Sequence, residues 1–320
     1  MKKKIILGSL ITIFIIAIPL SIYGVKQYYM VKDHVDDMHI TIDDEQNNNS
    51  DNNEDIDDEL TDRPINIHDE PLTYLLLGIG NRPDDPGRAD VIMVVSINPD
   101  KEEILTFNIP RDTKTEISGK NSYDKINHAY SYGGTKTTKE TVEDFIDSEI
   151  DDVVQINMQG FRDLVDAIGG VTVDNSFSFE QADELGKETY HYDKGEIDLD
   201  GEEALHYSRM RKQDPEGDLG RNKRQKQVIE AILEKAKSPS AVFSLNDTMQ
   251  ALSSNVKTTI RFSEIKNLFK EYQSDWKDFE LKEETLDVED EWAPEGFYFR
   301  ITDEEQYRVQ QELADFLEKE

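Results

Sequence analysis

The stretch SRMRKQDPEGDLGRNKRQ, residues 208–225, gathers six basic residues, Arg209, Arg211, Lys212, Arg221, Lys223 and Arg224, against three acidic ones, Asp214, Glu216 and Asp218. It does so in a chain whose formal net charge is −33. Arginine presents a planar fork of donors that matches phosphate oxygens two at a time. Arg209 and Arg211 are two apart and share a face if the chain is extended there. Arg221, Arg224 and Gln225 are three and four apart and share a face of a helix, with Asp218 placed to cap it. A strand end and a helix start that both present arginines make an anion pocket. Upstream, Arg88 and Asp90 stand at the head of one apolar run, and Arg111 and Asp112 stand just past the next. If those runs form an antiparallel hairpin, Arg88 and Arg111 fall at one end of a sheet. The competing reading is that these arginines pair with surface carboxylates, of which the chain has many.

Other chemistry finds little support. There is no cysteine, which removes disulfides and thiolates. No G-x-S-x-G elbow occurs, and GGTKTTK lacks the G-K-[ST] spacing of a phosphate-binding loop. No kinase or dinucleotide fingerprint is present. The six histidines (34, 39, 68, 128, 191, 206) show no metal-ligand spacing, and His128 and His206 read as structural. With 69 acidic residues against 36 basic, a nucleic-acid partner is excluded, because phosphate backbones would be repelled.

The elements that must carry these residues read as strands alternating with helices. YLLLGIG (74–80), DVIMVVSINP (90–99) and EILTFNIP (103–110) are short apolar runs, with Asn98-Pro99-Asp100 as the turn of a hairpin. KETVEDFID (139–147) has helical spacing. DVVQINMQGFRDLVDAIGGVTV reads as strand, helix, Gly-Gly turn and strand. A helical turn at Glu202–Leu205 precedes HYSRMR, and NKRQKQVIEAILEKAK (222–237) is an amphipathic helix. The pattern predicts an α/β domain over 71–320 with a central mixed β-sheet flanked by helices. No internal repeat is present.

The N-terminus is of a different kind. After Lys2, Lys3 and Lys4, residues 5–23 carry no charge. At about 1.5 Å per residue the run reaches roughly 28 Å, close to a bilayer's hydrocarbon thickness. The lysines favour a cytoplasmic tail at 1–4, and Tyr23, Tyr28 and Tyr29 suit the outer headgroup level. A cleaved signal peptide has a shorter apolar core and a small-residue cleavage site, which is missing. A single transmembrane anchor is therefore expected, with the rest of the chain outside the cell membrane. Residues 31–70 hold 15 acidic and two basic residues. The segment 24–70 is expected to be an extended acidic extracellular linker. It lacks the spacing of a calcium loop.

GRADVIMVVSINP, NIPRDT, DKINHAYSYGGTK, FRDLVDAIGGVTV, GEEALHYSRMR and GDLGRNKRQKQVI, in that order, resemble the signature blocks of the LytR–CpsA–Psr family. The resemblance covers about residues 72–236, and EGFYFRITDEEQ near the end is similar too. It implies transfer of a glycopolymer, such as wall teichoic acid, from a polyprenyl-pyrophosphate carrier to peptidoglycan through a phosphodiester. It implies an α/β sandwich with a long apolar pocket for the lipid. By position, Arg88, Arg111, Arg209, Arg211, Arg221 and Gln225 match pyrophosphate-binding residues. Asp90 matches a Mg²⁺ ligand, and Asp112 and Asp218 match recurrent motif acids. Asp112, or failing that Asp218, is placed to act as general base, and Asp112 is equally placed to orient Arg111. One departure stands out: Gly80 occupies the place where the family's first strand ends in a second metal-side aspartate. Asn81, Asp84 or Asp85 would have to compensate. That departure keeps a non-catalytic sensor or attenuator of wall stress in view, and a pyrophosphate hydrolase is the other alternative.

Overall fold

The computed structural model describes residues 29–42, 70–80, 87–183, 186–236, 252–272 and 279–319. Its centre is a six-stranded sheet in the order β11-β6-β1-β2-β3-β12. Here β1 is Leu72–Gly80, β2 Arg88–Asn98, β3 Glu103–Asn108, β6 Asp152–Asn157, β11 Val256–Thr258 and β12 Glu280–Glu284. β1, β2 and β3 run as an antiparallel meander, while β6 joins β1 and β12 joins β3 in parallel. The sheet is mixed, as expected.

β1 and β2 are apolar at nearly every position because both of their faces are covered. On one face Leu75, Leu77, Ile92, Val94 and Phe107 pack against Val142, Phe145 and Ile146 of α2 (His128–Ile146) and Val309, Leu313 and Phe316 of α7 (Asp303–Leu317). On the other, Tyr74, Met93, Val95 and Ile104 meet Ile229 of α5 (Asp218–Ala236) and Phe279. A second core lies between α3 (Met158–Ala167), α4 (Gly201–Arg209), α5 and the β7–β10 pair (Val171–Asn175 with Gly195–Leu199).

Three local features place the site. The chain leaves β3 through Arg111 and Asp112 into the hairpin β4–β5 (Lys114–Ile117, Ser122–Lys125). That hairpin returns beside its start, for Ile126 N donates to Thr113 O at 2.8 Å and Asn127 N to Arg111 O at 3.2 Å. α2 then begins at His128, earlier than the spacing at 139–147 predicts. It is broken at Gly133 and Gly134, the latter with φ 63°. A Cβ at 133 would stand 2.1 Å from Thr137 Oγ1, so only glycine lets the short first turn sit at an angle to the rest.

Two expectations are corrected. The linker is not extended from 31 onward. Residues 29–38 form a helix, α1, whose Val35 and Met38 are buried. Ile40 N donates to Thr258 O at 2.8 Å beyond it, so 29–42 dock on the edge strand β11. Two apolar residues three apart are enough to bury one helical face despite the acidic composition. HYSRMR is not extended either: it is helical through Arg209. Asp200 and Glu203 form a capping box that starts α4, and Leu205 and Tyr207 bury along it. The apolar span 5–23 lies outside the described residues. Among the described ones no helix is long and apolar enough to cross a membrane.

Candidate active site

Arg88 opens β2 opposite Gly80, the last residue of β1. Asp90 follows two residues later, at the bulge where the β1–β2 register shifts, and lines the same recess as Arg88. Arg111 comes in from the far end of β3, and its Nη1 donates to Asp90 Oδ1 at 2.6 Å. The Nε of Arg111 lies 3.6 Å from Asp112 Oδ2, and Asp112 Oδ1 accepts from Lys125 Nζ at 2.7 Å. Lys125, Asp112, Arg111 and Asp90 thus form a chain of alternating charge, which is how cations can stand together without mutual repulsion. These residues line one recess with Gly80, Arg88, Asn127 and His128. It measures about 180 Å³. That is below the roughly 300–1,000 Å³ that enclose a drug-sized ligand, so it suits an anionic head group rather than a whole lipid-linked glycan.

The second basic group is split by the fold. Arg209 ends α4 and donates from Nη1 to Met158 Sδ at 3.5 Å. Met158 follows the end of β6, whose Asn157 pairs with Ile79 of β1. Arg209 therefore stands at the same end of the sheet as Gly80, one strand over. Arg221 and Gln225 are buried on one face of α5, and Arg211 is exposed in the loop after α4. None of the four lines the recess itself. Arg224, on the same helix face as Arg221, is structural. It pairs with buried Asp214 and donates to the carbonyls of Tyr207, at 3.2 Å, and Met210. Asp218 opens α5, and its side chain lies outside the described residues.

A model of the LytR_cpsA_psr family matches residues 28–315. The chain belongs to that family. The polyisoprenyl-teichoic acid–peptidoglycan teichoic acid transferase TagU of Bacillus cereus (strain AH820) is 39% identical over 280 residues, covering 88% of this chain and 87% of that one. The crystal structure of TagV from B. subtilis is 33% identical, with a TM-score of 0.68 over 78% of this chain and 98% of that one. TagT bound to LI-WTA is 30% identical, with a TM-score of 0.65 over 80% of this chain and 94% of that one.

In this LytR_cpsA_psr protein the expected residues Arg88, Asp90, Arg111 and Asp112 come together as the hairpin argument requires. Lys125, Asn127 and His128 were not expected in the recess. The motif DKINHAY contains all three, yet nothing in its spacing says that β4–β5 folds them back onto Arg111. His206 is structural, as expected: it is buried, 3.0 Å from Glu202 Oε1, and stacked on Tyr190.

Among the described residues the donor set for the expected Mg²⁺ is small: no group of three or more acidic or histidine side chains is placed to hold a metal ion together. Asn81, Asp84 and Asp85 lie outside them. Asp90 Oδ1 is held by Arg111, while Oδ2 faces the bare backbone of Gly80, where any Cβ would come within 2.4 Å. One carboxylate oxygen is left, with space beside it. Mg²⁺ is commonly held by one or two carboxylates, waters and substrate phosphates, so Asp90 fits it as a single protein ligand.

Proposed function

We propose that this chain transfers an anionic cell-wall glycopolymer, such as wall teichoic acid, from a polyprenyl-pyrophosphate carrier to peptidoglycan by forming a phosphodiester. The observation that carries this reading is the convergence of Arg88, Arg111 and Lys125 on one small recess at the strand ends. The activity named for the TagU relatives supports it.

Arg88, Arg111 and Lys125 hold the pyrophosphate and neutralise the charge that grows on the leaving lipid phosphate. Asp90 and Asp112 keep Arg111 in place. Arg209, with Arg211, Arg221 and Gln225, extends the basic surface along the donor. Asp90 would hold Mg²⁺, which would supply further neutralisation of the phosphate oxygens. The polyprenyl chain follows the sheet face that α5 packs on, where Leu72, Leu76, Ile97 and Leu281 of the strands and Ile229 of α5 are only partly buried. Residues 5–23 anchor the chain so that this face meets a lipid-borne donor at the outer membrane surface.

The test is to incubate the full chain in detergent with a polyprenyl-pyrophosphate-linked glycan, peptidoglycan oligosaccharide and Mg²⁺. Mass spectrometry is expected to show glycan joined to peptidoglycan through a phosphodiester. Arg111→Ala is expected to lower turnover about 10²–10³-fold without unfolding the domain. Donor binding with no product would move the reading to a sensor, and free glycan phosphate as product would move it to a hydrolase.

A further inference from the structure

Transfer to a sugar hydroxyl needs a group to take its proton, and Asp112 is poorly placed for that. Its Oδ1 accepts from Lys125 and its Oδ2 faces Arg111 Nε. Another wall of the same recess offers a better arrangement. His128 begins α2, and its Nδ1 lies 3.0 Å from Asp124 Oδ2 on β5. The same carboxylate accepts from the Tyr132 hydroxyl at 2.5 Å and from Lys125 N at 2.7 Å. Burial by itself would raise the Asp124 pKa. The bonds from Tyr132, His128 and the Lys125 backbone outweigh it and hold the carboxyl below its ordinary range. An ionised carboxylate only accepts, so the proton sits on Nδ1 and the lone pair on Nε2. His128 lines the recess, and Nε2 is the nitrogen that Asp124 does not take.

A second observation points to a hydroxyl-bearing ligand at this wall. Asn127, next in the chain, also lines the recess, and its buried Oδ1 has no hydrogen-bond partner among the described residues. A buried acceptor calls for a donor. Phosphate oxygens offer none, whereas a sugar hydroxyl does.

We propose that His128 is the general base that deprotonates the acceptor hydroxyl of peptidoglycan, with Asp124 as the positioning residue that sets its tautomer and Asn127 Oδ1 as an acceptor for the incoming sugar. The inference rests on the transferase reading. In the step, the hydroxyl oxygen bonds to the glycan-bearing phosphorus and its proton passes to His128 Nε2. The bond from that phosphorus to the bridging oxygen breaks, and the electron pair leaves with the polyprenyl monophosphate. The imidazolium then returns its proton to water. Around the ring, Asp124, Asp90 and Asp112 face Arg88, Arg111 and Lys125, three charges of each sign. Tyr132 lies on α2, and Tyr298 of β14 (Gly296–Arg300) with Lys114 of β4 stands behind Asp124.

The test is the pH dependence of kcat/KM for the full chain in detergent, alongside donor affinity and a thermal unfolding curve. The wild type is expected to show an acid limb. His128→Gln is expected to fall about 10²–10⁴-fold and lose that limb, with donor affinity within twofold of wild type. Imidazole should partly restore His128→Ala. Asp124→Asn is expected to lower kcat about tenfold with KM unchanged, because the ring loses the carboxylate that fixes its tautomer. A His128→Gln enzyme within threefold of wild type with the limb intact overturns the assignment, as does a loss of turnover matched by loss of donor affinity. If His128→Gln fails to fold, an unchanged kcat in Asp124→Asn overturns it instead. A wild type that binds donor but forms no phosphodiester overturns the transferase reading itself, and this assignment with it.

Discussion

The backbone of Gly80 runs directly against the carboxylate of Asp90: a Cβ at position 80 would stand 2.4 Å from Asp90 Oδ2. The same carboxylate holds Arg111 through its other oxygen. In this chain a side chain at 80 therefore displaces the Asp90 carboxylate that holds Arg111. Gly80→Ala is expected to leave the melting temperature nearly unchanged and to cut kcat/KM by about tenfold. That is the size of one charge-assisted hydrogen bond. Steady-state transfer assays with Mg²⁺ titrated check it, and an unaltered rate would show that Asp90 need not hold Arg111 for turnover.

Arg224 and Asp214 give the opposite signature. Their side chains are 7% and 3% exposed, so the pair is buried. Arg224→Ala leaves Asp214 buried and unpaired, and is expected to cost about 3–5 kcal/mol of stability. Replacing both partners by apolar residues, Arg224→Met with Asp214→Leu, is expected to cost less than Arg224→Ala alone. Urea unfolding of the wild type and these two variants decides it. Equal losses would mean that the cost comes from the carbonyl bonds to Tyr207 and Met210.

Glu230 on α5 faces Glu283 on β12, with Lys226 Nζ 2.9 Å from Glu283 and 3.8 Å from Glu230. Burial, with Glu283 beside it, pushes the Glu230 carboxyl up to about 8. Between its ordinary value near 4.5 and about 8 the folded state therefore holds a proton that the unfolded state has released. Stability is full below the lower value and is lost as pH rises through the upper one. The carboxyl of Glu283 is held low, so its own contribution changes only below the ordinary glutamate range. Glu230→Gln is expected to flatten the fall in melting temperature between pH 5 and about 8. Melting curves across that window, wild type against variant, are the check.

The α1 helix makes a local prediction. Val35→Asp places a charge where a buried apolar side chain packs. It is expected to undock residues 29–42. Hydrogen exchange should rise sharply at Ile40, whose amide donates to Thr258 O, and stay slow in β1 and β2. Exchange that rises across the whole sheet would make α1 part of the domain's cooperative core.

Much of the frame was legible in the sequence. Strands β1 to β3 announce themselves as short apolar runs bounded by turn residues. From their hairpin alone, Arg88 and Arg111 follow at one end of the sheet. The extent of α2 was not legible, because its first turn carries no apolar repeat and is set off by Gly133 and Gly134. Nor was the division of labour between Arg221 and Arg224. Both lie on one helix face, and only the position of Asp214 in the preceding loop makes Arg224 a structural cross-link.

Composition, run length and turn chemistry are local properties, so the sequence by itself determined the α/β class, the β2–β3 hairpin and the candidate arginines. Which side chains meet is a property of how the chain returns on itself. The β4–β5 hairpin carries Lys125, Asn127 and His128 back to Arg111, and His128 opens α2 at the wall of the recess. Those contacts join residues whose neighbourhood no periodicity encodes, and only the tertiary structure decided them.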